Sequence, residues 1–91
     1  MSHMIEAKGE LIARVRRIVG QLNRMEAALE AEAGCEEVLH MLAGARGAFN
    51  GLSEEIIADF LREHVAAPRL SQAERQQGAE QLITLLRRYN R

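Results

Sequence analysis

The chain has 91 residues and a mass of 10.2 kDa, enough for one small domain spanning residues 1–91. Its 47% hydrophobic and 27% charged residues exclude a disordered chain, and no apolar run approaches the ~20 residues of a membrane span. The formal net charge of −1, taken alone, argues for no nucleic-acid partner.

The first segment places Leu11, Val15, Ile18, Leu22, Met25 and Leu29 at spacings of 4, 3, 4, 3 and 4, a heptad seam. Glu, Ala, Arg and Gln fill the intervening positions and all favour helix. The spacing predicts a helix from Ile5 to Glu32, with Gly9 and Gly20 as weak points and a break at Ala33-Gly34.

The second segment repeats the pattern through Cys35, Val38, Leu42, Ala45, Phe49, Leu52 and Ile56, and Phe60 and His64 continue one edge of it. A helix from Cys35 to Val65 would span about 45 Å at 1.5 Å per residue. Gly44, Gly47 and Gly51 lie inside it, each costing about 1 kcal/mol relative to alanine. That cost makes sense where another helix approaches closely.

Pro68 stops this helix, and Ser71-Gln-Ala-Glu74 is a capping box that opens a third. Gly78 should interrupt the third helix early. Ala79, Leu82, Ile83, Leu86 and Tyr89 form its apolar face, and Arg87 and Arg88 suit its C-terminal end. Nothing alternates with period two, so the fold class is all-α, with two long antiparallel helices and a short third.

Aromatic residues are only 3% of the chain, so the core must come from aliphatic side chains, Met and Ala. A chain this short buries a small share of its surface, and helices this long call for a partner chain. Cys35 is the only cysteine, which excludes an internal disulfide. A lone thiol without a charged-then-apolar leader fits a reducing cytoplasm and no membrane association.

Charge is distributed unevenly. Residues 1–29 carry a net +2, residues 30–64 a net −6 and residues 65–91 a net +3. Eleven of the twelve basic residues are arginine, the side chain best shaped for bidentate phosphate contacts. Arg14, Arg16, Arg17 and Arg24 cluster on the first helix, and repetition of that patch in a two-fold assembly would give salt-dependent DNA binding. The alternative is a solvated face of i,i+4 pairs with glutamates.

Candidate ligands are His3, Cys35, His40, His64, carboxylates and the N-terminal amine. No catalytic triad, phosphate loop, HExxH or CxxC is present, which argues against an enzyme. Cys35 and His64 stand about 43 Å apart along one helix and cannot meet within a chain. Two copies packed antiparallel would bring Cys35 of one beside Phe60 and His64 of the other. The first helix, folded back, would bring His3 and the N-terminus to the His64 end. One thiolate with imidazole and amine nitrogens suits Ni(II), Co(II) or Zn(II). Each residue also has a plainer reading: Cys35 as a small apolar residue, His64 as a helix C-terminal histidine, His40 as structural.

Three runs, Arg14-Val15-Arg16-Arg17-Ile18-Val19-Gly20-Gln21, Cys35-Glu36-Glu37-Val38-Leu39 and Ala45-Arg46-Gly47-Ala48-Phe49-Asn50-Gly51-Leu52, resemble the CsoR/RcnR/FrmR repressors. The likeness runs from about residue 3 to residue 90 without gaps. The opening Met1-Ser2-His3 and the phase of Cys35 and His64 look most like the nickel- and cobalt-responsive RcnR branch. The Arg-Val-Arg-Arg-Ile run looks equally like the formaldehyde-responsive FrmR branch.

The resemblance implies an antiparallel homodimer and a disc-shaped homotetramer. It implies a repressor that binds operator DNA, needs no cofactor to do so, and releases it when an effector binds. Lys8, Arg14, Arg16, Arg17, Gln21 and Arg46 would be the DNA-binding residues. Ser2, His3, Cys35 and His64 would form the effector site. Phe60 departs from the pattern, which has histidine there. The expected effector is Ni(II) or Co(II). A second expectation is formaldehyde, cross-linking Cys35 to the N-terminal amine, and a third is a helical interaction module without DNA binding.

Overall fold

The computed structural model describes residues 3–89. It contains four helices: α1 (His3–Glu6), α2 (Lys8–Glu30), α3 (Cys35–His64) and α4 (Gln72–Tyr89). Among the described residues, Ala7–Glu54 form one compact unit. The residues before Ala7 and those from Glu55 onward form a second, and α3 contributes to both.

The first helix expected from the seam is divided at Ala7, which lacks a side-chain cap, while Gly9 and Gly20 lie unbroken inside α2. Alanine at an N-cap position leaves the first amide groups without a side-chain acceptor. The end of α2 also differs from expectation. The left-handed residue is Glu32, with φ 58°, not Gly34. Glu32 N donates to Leu29 O at 3.1 Å and Ala33 N to Ala28 O at 2.9 Å, the paired bonds of a Schellman motif. Glycine normally occupies that position because a Cβ there is strained.

Within the Ala7–Glu54 unit, α2 and α3 form an antiparallel hairpin. Arg14 Nη1 lies 3.4 Å from where a Cβ on Gly51 would stand. Arg14 precedes the end of α2 by as many residues as Gly51 follows the start of α3, so the two helices run alongside one another. The heptad seam divides into two sets. Ile18 and Ala45 are 4% and 1% exposed, and Leu11, Met25, Val38 and Leu52 are half-buried. Val15, Leu22 and Leu29 on α2, and Leu42 and Phe49 on α3, are 42–59% exposed. One heptad position therefore packs inside the chain and the other faces outward. A Cβ at Gly44 or Gly47 would meet no other part of the described chain within 4 Å, and one at Gly51 would meet only the Arg14 guanidinium, so this side of α3 stands open within the chain.

In the second unit, α4 begins as the capping box requires. Ser71 N donates to Glu74 Oε1 at 2.9 Å, and Glu74 N donates to Ser71 Oγ at 3.1 Å. Gly78 does not interrupt α4, which runs continuously to Tyr89. Gly78 instead lies buried against the His64 carbonyl. Arg75 ties down the connection from α3: Nη1 donates to Val65 O at 3.2 Å and Nη2 to Leu70 O at 3.1 Å. No helix among the described residues is long and apolar enough to cross a membrane.

Candidate functional site

The basic residues of α2 are set out by the helical repeat. Arg16, Arg17, Gly20, Gln21 and Arg24 line one shallow surface depression. These side chains recur at i, i+1, i+4, i+5 and i+8, so they share one face of the helix. Arg14 lies on the side toward α3, half-buried, and its Nε has no hydrogen-bond partner; neither does the buried Oε1 of Gln21. Lys8 and Arg46 are exposed. Among the described residues, Arg14, Arg16, Arg17 and Arg24 form no ion pair with an acid. The face of i,i+4 pairs with glutamates does not form, and these guanidinium groups keep their charge available for another partner.

Cys35 is the first residue of α3, a free and exposed thiol. It shares a heptad position with Leu42 and Phe49, on the face that α2 leaves open. His64 is the last residue of α3 and is exposed. Its imidazole stacks on Phe60, with centroids 4.5 Å apart and planes inclined by 41°. The i,i+4 spacing of a helix brings those two rings together. Ser2 lies outside the described residues, and of His3 only the backbone, at the start of α1, is described. No three His, Cys, Asp or Glu side chains gather into a metal-binding group among the described residues. His40, with Gly34, Glu36, Glu37, Leu39 and Met41, lines an open surface groove at the start of α3.

Two features near His64 escaped the reading of the sequence. Asp59 is only 5% exposed. Its Oδ1 accepts from Arg62 Nη1 at 3.1 Å, and its buried Oδ2 has no hydrogen-bond partner. The signal was present, because the inward set Val38, Ala45 and Leu52 continues by sevens onto Asp59. The second feature is the α3–α4 junction made by Arg75 and Gly78. Its bonds run to backbone atoms, which leave no residue pattern to read.

The described residues are all-helical, with an arginine-lined face, an exposed thiol and an exposed apolar stripe. The pattern of the metal-sensitive transcriptional repressors matches residues 7–88, and the chain belongs to that family. It is 45% identical to a Serratia marcescens protein described as uncharacterized, from the bioA 5′ region, over 98% of both chains. It is 35% identical to the transcriptional repressor RcnR of Salmonella paratyphi B, again over 98% of both. A glutamate-to-histidine variant of the formaldehyde-responsive regulator FrmR from Salmonella enterica serovar Typhimurium shares the fold. Its TM-score is 0.83 at 36% identity, covering 96% of this chain and 98% of the other.

Proposed function

We propose that the chain is a cytoplasmic, DNA-binding transcriptional repressor, a single functional domain over residues 1–91, which releases its operator when Ni(II) or Co(II) binds between subunits. Cys35 of one subunit would act with His64, His3 and the N-terminal segment at Ser2 of another. Zn(II) suits the same donors. The observation that carries this reading is the position of Cys35. It sits on the open face of α3 with Leu42 and Phe49, and its own chain provides no ligand cluster around it among the described residues. A second copy packed on that face completes the site and covers the apolar stripe, as in a homodimer that pairs again into a tetramer. The metal would hold subunits in an arrangement that binds DNA less well, a coupling of about 1–3 kcal/mol.

The arginine face supports the DNA role. Arg16, Arg17 and Gln21 share one depression, and Lys8, Arg14 and Arg46 extend the positive charge over the α2–α3 hairpin. Contacts of this kind neutralise phosphates and weaken with salt. Family membership favours this reading over an interaction module without DNA.

Phe60 favours a second effector reading. It occupies the place beside His64 where another nitrogen would bind a metal, and it cannot ligate. Formaldehyde needs no donor there. The Cys35 thiolate would add to the aldehyde carbon, and condensation with the N-terminal amine would expel water and leave a methylene bridge. Release of the chain's own promoter DNA, titrated separately with Co(II), Ni(II) and formaldehyde, tests the proposal. Release by metal that Cys35→Ala abolishes supports the first reading. Release by formaldehyde alone, with a gain of about 12 Da per site, supports the second. No DNA shift at any salt concentration would contradict both.

A further inference from the structure

We infer that Gly78 is a positioning residue for His64: it seats α4 against the last turn of α3, and α4 thereby fixes the imidazole of the proposed effector site. The inference rests on the reading of His64 given above.

Gly78 is buried on one stripe of α4 with Leu82, and half-buried Arg75 lies a turn before it. A Cβ built on Gly78 would overlap the His64 carbonyl oxygen, stand 2.8 Å from its carbonyl carbon and reach 3.1 Å from its Cβ. Two of those three atoms are backbone at the end of a helix, which cannot swing aside as a side chain does. Any residue other than glycine must push α4 off the turn that carries His64. Glycine inside a helix is less favourable than alanine, and here the close approach offsets that cost.

The surroundings give the contact a direction. Arg75 holds Val65 O and Leu70 O, so both ends of the α3–α4 connection, including the residue after His64, are tied to α4. Glu74, Gln77 and Gln81, on successive turns of α4, line a groove with His64. Gln77 and Gln81 also line the adjoining groove with Phe60. The imidazole therefore has the Phe60 ring on one side and polar α4 side chains beside it. Neighbours that hold a ligating histidine commonly set metal affinity by about 10–100-fold.

The test is Co(II) affinity of the full chain, measured by competition with a chromogenic metal indicator, for Gly78→Ala, His64→Ala (which keeps weaker binding through Cys35) and the double variant. Gly78→Ala should weaken Co(II) about tenfold in the native background and have no further effect once His64 is gone. A merely structural glycine would weaken both backgrounds equally, and that result overturns the inference. Arg75→Gln adds no volume and should shift affinity in the same direction. If Gly78→Ala does not fold, an Arg75→Gln loss confined to the His64 background supports the role, and its absence overturns it. If His64→Ala binds Co(II) as tightly as the native chain, the effector reading itself fails and the positioning role falls with it.

Discussion

Phe60 and His64 lie one helical turn apart with their rings in contact at 4.5 Å, so the imidazole meets a phenyl group where a second nitrogen could stand. Phe60→His places a donor at that spacing. For a metal-responsive chain, Co(II) and Ni(II) affinity should rise at least tenfold by competition titration, about 1.4 kcal/mol. An unchanged affinity would show that position 60 lies outside the metal site.

The outward seam predicts the assembly. Val15, Val19 and Leu22 on α2, with Leu42 and Phe49 on α3, leave a contiguous apolar face on a hairpin with few buried hydrophobic side chains of its own. Leu22→Glu or Phe49→Glu should convert the assembled protein to smaller species in sedimentation. An equivalent change at exposed Arg24 should not. The reason is desolvation: a carboxylate buried in an apolar contact without a partner is strongly unfavourable.

Much of this architecture was legible in the residues. The periods of 3 and 4 locate both long helices, and the Ser71–Glu74 spacing places the start of α4. What the spacing could not divide was which seam position faces the chain's own helix and which faces outward, since both are equally apolar. The readings of Gly34 as the helix break and of Gly78 as an interruption failed for a related reason. Residue type indicates where a chain can bend or approach closely, while the partner atoms decide: Glu32 takes the left-handed turn and Gly78 takes the contact with His64. Cys35 and His64 were readable as candidate donors, but among the described residues no group of three donors forms around either, so residue type alone does not name an effector.

Glu32 predicts a gain in stability. A side chain at φ 58° is strained by about 1–2 kcal/mol. Glu32→Gly removes that strain and adds some flexibility to the unfolded chain. Thermal unfolding should rise by a few degrees, and DNA binding should be unaffected. A fall would mean that the Glu32 side chain makes a compensating interaction in the assembly.

The α4 cap predicts a dependence on acid. The Ser71 backbone N–H, then the Ser71 hydroxyl, hold the Glu74 carboxyl below its ordinary 4.5. A carboxylate depressed on folding contributes stability that is present above its unfolded value and lost as pH falls through the folded one. Ser71→Ala should cost about 1 kcal/mol in denaturant unfolding at neutral pH. NMR titration of Glu74 should then show its value moving back toward 4.5, with the backbone bond keeping part of the shift.

The arginine face predicts a salt effect. Arg17→Ala should weaken operator binding across sequences and lower the salt slope by about one for each Arg17 at the interface. Equal weakening with an unchanged slope would remove Arg17 from the phosphate contacts.

The claim that Cys35 and His64 of different subunits share one site is tested most directly by mixing two dead variants. Cys35→Ala and His64→Ala, each alone, should give no native thiolate–Co(II) band. After co-refolding in equal amounts, a mixed dimer contains one intact site and one doubly defective site, so about a quarter of the native band should return. A band no larger than that of the separate variants would contradict a site shared between subunits.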